Sequence, residues 1–107
     1  MLGAAGLLEG RRATTHWAYL EDLRRYGAEP VAERIVRDGE LITAAGVSAG
    51  IELGLVVLGE LLGEDAARAA ELAIEYDPAP PFGTGSPAAA PARIVERVRE
   101  HMRGPGL

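Results

Sequence analysis

The opening segment places the strongest constraint on what this chain can fold into. Residues Met1 to Leu8 are largely apolar and predict the last turns of a helix, which Gly10 ends. Arg12 to Thr15 then favours a short strand, which leads directly into His16 and Trp17. No strand precedes this helix end, although α/β domains normally alternate the two elements. We therefore expect the chain to carry only part of an α/β domain.

Composition favours an ordinary globular protein. The 107 residues suffice for one domain with a modest core. With 48% hydrophobic and 25% charged residues, the chain is not expected to be disordered. Its formal net charge of −5 argues against nucleic-acid binding, which depends on clustered basic residues that neutralise phosphates.

No segment predicts membrane insertion or export. The longest apolar stretch, Ile51 to Leu62, is interrupted by Glu52 and Glu60 and fits a buried helix better than a membrane span. A signal peptide with a basic start and a cleavage site is not visible. We therefore expect a cytoplasmic protein that contacts neither membrane nor nucleic acid.

The sequence contains no cysteine, and this excludes several kinds of chemistry. Disulfides, thiolate metal sites and a cysteine nucleophile cannot come from these residues. The only histidines are His16 and His101, and they do not form the His-Glu-x-x-His spacing of zinc enzymes. We expect no metal and no cofactor.

A helix and a hairpin are predicted in the first half. Trp17 to Tyr26 has the spacing of an amphipathic helix, with Gly27 as its left-handed cap. The β-favouring runs Arg34 to Arg37 and Leu41 to Ala44 flank Asp38-Gly39, a dipeptide suited to a tight turn.

Three further helices are predicted after the hairpin. Ser48 to Leu62 is apolar on nearly all sides, which indicates burial against a sheet, and Ser48 is suited to cap it. Asp65 to Tyr76 is rich in alanine and begins with acidic residues. Pro91 to Arg103 opens with proline and carries an apolar stripe.

A loop rich in proline and glycine joins the last two helices. Asp77 to Pro91 contains Phe82, so the loop could form a lid or a groove for a partner. We favour a rigid crossing over the surface, because prolines fix the backbone of such connections.

The segment Gly46-Val47-Ser48-Ala49-Gly50 fits the nucleophile motif of α/β-hydrolases. Asp65 or Asp77 and then His101 would follow in the order of a hydrolase triad. However, no preceding loop offers N–H groups for an oxyanion, and His101 lies on a charged terminal helix. We interpret the small residues as a helix start packed closely on a sheet.

Four segments resemble the ThiJ/PfpI superfamily, which is similar to class I glutamine amidotransferases. The segments are Gly6 to Trp17, Val36 to Thr43, Ala45 to Leu55, and Glu75 to Phe82 followed by Gly85-Ser86-Pro87. The long Glu-Tyr-Asp-Pro-x-Pro-Pro-Phe pattern of the last segment resembles the isonitrile hydratase-like branch in particular.

This resemblance implies a fold and indicates how much of the domain the chain covers. It implies the C-terminal part of a flavodoxin-like three-layer α/β sandwich, with a short β-hairpin and four to five helices. Residues 1–107 would then be a partial domain that lacks the N-terminal strands and the nucleophile elbow. Members of the family are frequently homodimers, so a homodimer is expected here as well.

The resemblance also implies a chemistry that these residues cannot complete. Isonitrile hydratases are lyases that hydrate isonitriles to N-substituted formamides, using a cysteine on the elbow and an acidic residue from early in the chain. Neither is present, so we expect no catalytic residue here and a small-molecule substrate only in a full-length form. Thr15, His16 and Trp17 carry over as residues that line the pocket.

Two other functions stay open, together with one consequence for stability. The ligand-sensing domains of AraC-type transcription regulators share the stretch from Thr14 to Trp17, but such proteins continue into a basic DNA-binding domain. A small structural dimerisation domain is the third possibility. Ile51, Leu55 and Leu58 should pack on a central parallel sheet whose other strands are missing, so we expect a marginal monomer that self-associates.

Overall fold

The computed structural model describes residues 2–102 and divides the chain into two compact units. The first unit ends at Tyr76 and the second begins at Asp77. The expectation of one partial domain over 1–107 stays a prediction.

The opening segment forms consecutive turns over residues 2–10 rather than the expected helix end. The Ala5 N–H donates to the Leu2 carbonyl at 3.2 Å, and the Gly6 N–H donates to the Gly3 carbonyl at 3.0 Å. Gly6 then adopts a φ of +79°, a left-handed conformation that interrupts a right-handed helix. The helix prediction was therefore wrong for these residues, and its first residue, Met1, lies outside the described part.

Two short parallel strands frame the first helix. Strand β1 (Arg12–Ala13) pairs with β2 (Glu29–Pro30) in the register Arg12 to Glu29 and Ala13 to Pro30. A 3₁₀ helix, Trp17–Tyr26, connects them and has the bounds that the apolar spacing predicts. Strand β1 is two residues shorter than expected at its C-terminal end.

Gly27 ends the 3₁₀ helix as predicted. Its φ of 78° is left-handed, and its N–H donates to the carbonyls of Arg24 and Leu23. A small apolar core forms around this crossover, where parallel strands require a covered face. Its buried members are Leu8, Ala13, Leu23 and Ala28, with Leu20 and Leu41 packed against them.

The predicted hairpin is confirmed, with its turn displaced by one residue. Strands β3 (Ile35–Asp38) and β4 (Leu41–Ala44) are antiparallel, and Asp38 pairs with Leu41. The two loop residues are therefore Gly39 and Glu40, not Asp38 and Gly39. Gly39 has a φ of +63°, which fits the type II′ turn that places glycine first in the loop.

Side chains of the hairpin satisfy the outer backbone groups of β1. The Arg12 N–H donates to Asp38 Oδ2 at 2.8 Å, and the Thr14 N–H donates to Thr43 Oγ1 at 2.9 Å. Thr14 and Thr43 are both buried, at 4% and 9% exposure. The hairpin is thus attached to β1 by polar contacts that replace a strand neighbour.

Helix α1 (Val47–Leu62) begins one residue earlier than expected. Its N-cap is Gly46, whose backbone is extended, and no side chain caps the helix, so the predicted cap by Ser48 was wrong. The helix is also less buried than its apolar sequence suggests. Ala49 is its one buried residue, whereas Ile51 is 43% exposed.

Helix α2 (Glu64–Ala73) packs against α1 and ends three residues before the predicted end. Ile74 caps it, and Glu75 has a φ of 52°, a left-handed conformation that prevents continuation. The groove between the two helices contains Leu55, Val56, Gly59 and Ala67 together with charged residues at its rim.

The second unit contains one described helix. Residues 77–91 form no regular helix or strand, as predicted for the proline-rich loop, and Phe82 is exposed. Helix α3 (Ala92–Met102) follows. Arg103, the last residue of the predicted helix, lies outside the described residues. Across residues 2–102, no helix is both long and apolar enough to cross a membrane.

Candidate functional site

His16 lies at the junction between β1 and the 3₁₀ helix and caps that helix with its side chain. Its backbone is non-helical, with φ −51° and ψ 140°, and its Nδ1 accepts a hydrogen bond from the Ala18 N–H at 3.1 Å. A nitrogen that accepts a hydrogen bond carries no proton, so we infer that the proton of the neutral ring is on Nε2. The cap therefore fixes both the orientation and the tautomer of His16.

Aromatic neighbours surround the His16 ring on its own helix. The ring centroids of His16 and Trp17 are 5.3 Å apart, and those of His16 and Tyr19 are 6.2 Å apart. Both pairs are tilted, an arrangement in which aromatic rings attract each other. All three side chains are half-buried.

The start of α1 lies beside the same ring. A Cβ atom built on Gly46 would lie 3.8 Å from His16 Cδ2, which is ordinary van der Waals contact. His16 therefore sits between the end of β1 and the first turn of α1.

A cleft of about 340 Å³ opens beside the strand end. Thr15 lines it together with Thr14, Thr43, Tyr19 and residues of the opening turns, and Asp22 and Arg25 provide charges of both signs. His16 and Trp17 do not line this cleft. Of the three predicted pocket residues, Thr15 alone borders this cleft.

Sequence reasoning missed a polar network that joins three elements. Glu52 on α1 binds Arg34, which precedes β3, and accepts a hydrogen bond from the Tyr76 hydroxyl at 2.7 Å. Arg34 Nε is 3.1 Å from each carboxylate oxygen, and its Nη2 also donates to Ser48 Oγ at 3.3 Å. The members are 18 and 24 residues apart, which no local pattern reveals.

The network changes the acidity of its members. The hydrogen bond from Arg34 is the main cause that lowers the pKa of Glu52, and the hydrogen bond from Tyr76 acts in the same direction. The hydrogen bond to Glu52 raises the pKa of Tyr76, because the phenol donates to the carboxylate only while it is protonated. The same carboxylate raises the pKa of Arg34.

The alternative nucleophile motif is not formed as an elbow. Ser48 is in the first turn of α1, and among residues 2–102 the only residue other than glycine with a positive φ is Glu75. A nucleophile elbow holds its serine on a sharp, strained turn before the helix. In addition, Asp65 pairs with Arg68, and His101 belongs to the second unit. Within the described residues, no group of three or more His, Asp or Glu side chains is arranged to hold a metal ion.

A comparison with protein families decides the relationship of the chain. Residues 1–60, more than half of its length, match the profile of the DJ-1/PfpI family. The chain belongs to the DJ-1/PfpI family. The resemblance to ThiJ/PfpI proteins read from the sequence is therefore confirmed.

Individual relatives place it within the family. It is 53% identical over 94% of its length to the isonitrile hydratase of Pseudomonas putida, covering 44% of that protein. A shorter match, 38% identical over 59% of the chain and 19% of the relative, is to the HTH-type transcriptional regulator CdhR of Pseudomonas aeruginosa. The chain thus matches less than half the length of either relative.

A solved DJ-1/PfpI structure confirms the fold. The structure of a ThiJ/PfpI family protein from Pseudomonas syringae superimposes with a TM-score of 0.89 and 46% identity, over 94% of this chain and 42% of that one. The α/β fold of residues 2–102, with its hairpin and four helices, is therefore that of part of a DJ-1/PfpI domain. That Thr15, His16 and Trp17 line its pocket stays a prediction.

Proposed function

We propose that this chain forms the part of an isonitrile hydratase-type protein that supports the pocket and carries no nucleophile. The similarity to the Pseudomonas putida isonitrile hydratase along nearly the whole chain is the observation that carries this proposal. The cluster of His16 with Trp17 at the end of β1 supplies the part of the pocket wall that these residues can form.

The proposed reaction explains what the chain lacks. A cysteine thiolate adds to the terminal carbon of the isonitrile, and the same carbon takes up a proton, which gives a thioimidate. Water then adds to this carbon while the nitrogen takes up a proton. The carbon–sulfur bond breaks, the added hydroxyl loses its proton, and the N-substituted formamide and the thiolate are released. The 107 residues contain no cysteine, so the sulfur must come from another polypeptide segment.

His16 is suited to orient groups next to such a thiolate. Its Nδ1 is engaged by the Ala18 N–H, so its Nε2 can donate a hydrogen bond in a direction fixed by the cap. Because the ring is held by the backbone and by neighbouring aromatic rings, it loses little freedom when a ligand binds. We assign it a positioning role in the pocket.

The test uses a complementary segment, defined as the part of the Pseudomonas putida isonitrile hydratase outside its match to this chain. The purified chain alone should not hydrate an aryl isonitrile, measured by loss of the isonitrile infrared band and appearance of formamide in NMR spectra. The complex obtained by co-expression with the complementary segment should hydrate it, and the complementary segment alone should not. Hydration by the chain alone would contradict the proposal.

The two histidines provide a matched pair of variants. In the complex, His16→Ala should lower kcat/KM, since it removes the oriented ring beside the thiolate. His101→Ala should leave kcat/KM unchanged, because His101 is an exposed residue of α3 in the second unit. Equal effects of the two substitutions would argue against a role for His16.

We also propose that the chain self-associates, as DJ-1/PfpI proteins often form homodimers. Large apolar side chains are exposed on α1 and α2, among them Leu61, Leu62 and Leu72 at 76%, 71% and 81%. Analytical ultracentrifugation over a range of concentrations should show a dimer. A monomer at all concentrations would exclude it.

The match to the regulator CdhR supports a second candidate, a ligand-sensing domain. Such a domain would bind a small molecule in the same pocket without converting it. Calorimetric binding of an isonitrile to the co-expressed complex without formation of a formamide would favour this sensing function over hydration.

A further inference from the structure

The turn of the hairpin places a carboxyl group next to an open backbone nitrogen. Asp38 ends β3 and pairs with Leu41, so Gly39 and Glu40 form a two-residue loop. In such a loop the ladder uses the N–H groups of the closing pair, and the Gly39 N–H lies outside the ladder. Both loop residues are exposed, and glycine has no side chain that would shield its nitrogen. The Gly39 nitrogen is therefore accessible to water and to the side chain of Asp38.

Asp38 is the only one of the four aspartates in the sequence that is followed by glycine. Two of the others lie in helices and precede residues whose side chains crowd the next nitrogen, and the third precedes a proline, which has no N–H. These three are Asp22, Asp65 and Asp77. Attack by the next backbone nitrogen on the side-chain carboxyl group is therefore least hindered at Asp38.

A guanidinium group contacts the peptide bond between Asp38 and Gly39. Arg11 Nη1 donates to the Asp38 carbonyl at 2.9 Å and lies 4.0 Å from Asp38 Oδ1. When the Gly39 N–H loses its proton, resonance in the peptide group shares the negative charge with this carbonyl oxygen. A cation that donates a hydrogen bond to the oxygen stabilises that charge. Arg11 thus favours the form in which the Gly39 nitrogen can act as a nucleophile.

A second donor holds the side-chain carboxyl group of Asp38. The Arg12 N–H donates to Oδ2 at 2.8 Å. If the Gly39 nitrogen adds to Cγ, negative charge develops on a carboxyl oxygen, and a backbone N–H at this distance is suited to bind it. The Asp38 side chain is 31% exposed, so water can leave from the other oxygen. The contacts with β1 therefore support both the attacking and the attacked group.

We propose that Asp38–Gly39 is a site of spontaneous isoaspartate formation that the contact with Arg11 promotes. With the Asp38 carboxyl group protonated, the Gly39 nitrogen gives its proton to solvent and forms a bond to Cγ. The departing hydroxyl group takes a proton from solvent and leaves as water, which gives a cyclic succinimide. Water then adds to either carbonyl carbon of the ring. Opening at the former main-chain carbonyl leaves the backbone running through Cγ, which is an isoaspartyl residue of unchanged mass.

An isoaspartyl residue at this position would change how the hairpin is attached to β1. It adds one carbon atom to the backbone beside the two-residue loop and moves the carboxylate onto Cα. The pairing of Asp38 with Leu41 and the acceptor for the Arg12 N–H both depend on the original connectivity. The Thr14 N–H is bound by Thr43 and does not depend on Asp38. The modification should therefore loosen the attachment of the hairpin at its turn.

Ageing of the complete 107-residue chain tests the site. The chain is kept at physiological temperature and neutral pH in water enriched in ¹⁸O, and its tryptic peptides are analysed by tandem mass spectrometry. Asp38 should show a species lighter by one water, followed by uptake of one heavy oxygen and by labelling with an isoaspartyl methyltransferase. The other three aspartates are internal controls and should stay unlabelled. Absence of isoaspartate at Asp38, or faster formation at another aspartate, would overturn the inference.

Two adjacent arginines provide matched variants. Arg11→Ala removes the guanidinium group from the Asp38 carbonyl and should slow isoaspartate formation by about tenfold, which corresponds to about 1.4 kcal/mol. Arg12→Ala removes the same charge, but its side chain contacts the Arg37 carbonyl and its N–H to Oδ2 remains, so the rate should change little. Equal rates in the two variants would show an effect of net charge only and overturn the role of Arg11.

Unfolding separates the contact from the local sequence. In concentrated guanidinium chloride Arg11 is no longer held at Asp38, so the unmodified chain and Arg11→Ala should react at equal rates. A difference between them that persists in denaturant would overturn the structural role of Arg11. Circular dichroism checks that Arg11→Ala is folded in buffer. If it is not, Arg11→Met, which keeps an apolar stem without the charge, takes its place.

Amide hydrogen exchange tests the consequence for the fold. In aged chain enriched in isoaspartate, the Arg12 amide should exchange faster than in fresh chain, whereas the Thr14 amide should change little. Equal exchange of the Arg12 amide in both samples would overturn the loosening of the hairpin. Neither Asp38 nor Arg11 belongs to the candidate site around His16, so these outcomes do not depend on whether the proposed function holds.

Discussion

The hydrogen bond between the Thr14 N–H and Thr43 Oγ1 allows a quantitative prediction. Both residues are buried, and the 2.9 Å bond satisfies a backbone donor that has no strand neighbour. Thr43→Val replaces the hydroxyl with a methyl group of similar size and leaves this N–H unsatisfied. The unpaired buried donor should cost about 1–3 kcal/mol of unfolding free energy. The second contact of the hydroxyl, to the Val36 carbonyl at 3.5 Å, is too long to add much.

Thr43→Ser is the matched control for this prediction. It keeps the acceptor oxygen and removes one methyl group, which should cost about 0.8 kcal/mol or less. Urea titrations followed by circular dichroism and by the fluorescence of Trp17, the only tryptophan, measure both variants. With a denaturant slope of about 1–3 kcal/mol per molar, Thr43→Val should lower the urea midpoint by roughly 1 M.

The relative stability of the two variants tests whether the Thr14–Thr43 hydrogen bond attaches the hairpin. The valine variant should be the less stable one although it is the more apolar, and its Thr14 amide should exchange faster with solvent. If Thr43→Val were as stable as the unmodified chain, or more stable than Thr43→Ser, the bond would not be what attaches the hairpin to β1.

Three further predictions concern single positions. The pKa of Glu52 is lowered in the folded state, so ionised Glu52 stabilises the fold above pH 4.5, and this stabilisation is lost as the pH falls through the folded-state pKa. The pKa of Tyr76 is raised in the folded state, so protonated Tyr76 stabilises the fold below pH 10.0, and this stabilisation is lost as the pH rises through the folded-state pKa. Glu52→Gln should therefore reduce the dependence of stability on pH at both ends, as measured by urea titrations from acid to alkaline pH, and an unchanged pH profile would contradict it. Gly27→Ala should lower the free energy of unfolding by about 1–2 kcal/mol, because φ is 78° there and the added Cβ would lie 3.0 Å from Glu9 Cγ. Thermal unfolding measures the loss, and an unchanged Tm would count against the left-handed cap. Leu23→Ala in the core should lower the free energy of unfolding by about 2–5 kcal/mol, whereas Leu61→Ala, at a side chain that is 76% exposed, should lower it by less than about 0.5 kcal/mol. Similar losses in the two variants would mean that the small core does not stabilise the first unit.

Local chemistry explains which parts of the fold the sequence predicts. The 3₁₀ helix and Gly27 are correctly placed because apolar spacing and a left-handed glycine are properties of adjacent residues. The second strand of the hairpin is correctly bounded, whereas the first strand and the turn are displaced by one residue. Asp38-Gly39 and Gly39-Glu40 both place the glycine inside the loop. Sequence preference cannot distinguish these two registers, whereas pairing with β1 through Asp38 can.

Errors arise where distant contacts override local preference. The apolar opening segment predicts a helix, but the left-handed Gly6 breaks it into turns. Ser48 is a good capping residue in isolation, yet the helix begins at Val47 and the Ser48 hydroxyl binds Arg34 instead. The position of α1 depends on such contacts, which join residues far apart in the chain.

The candidate site is predicted in part for the same reason. Thr15, His16 and Trp17 are consecutive, so a family resemblance suffices to single them out. The role of Gly46 beside the His16 ring depends on how α1 returns to the strand end, and that requires the fold. The capping bond from Ala18 to His16 Nδ1 is local, and the position of a histidine just before a helix could have indicated it.

Tyr76, the last residue of the first unit, has a consequence for cleavage by proteases. Its hydroxyl is bound to Glu52, while residues 77–89 beyond it are exposed. A protease of broad specificity would therefore cut in the proline-rich connection and leave the preceding residues intact. The trimmed product would retain the β3–β4 hairpin, α1 and α2, together with the contacts of Glu52 with Arg34 and Tyr76. A shortened version of the chain should therefore end at Tyr76.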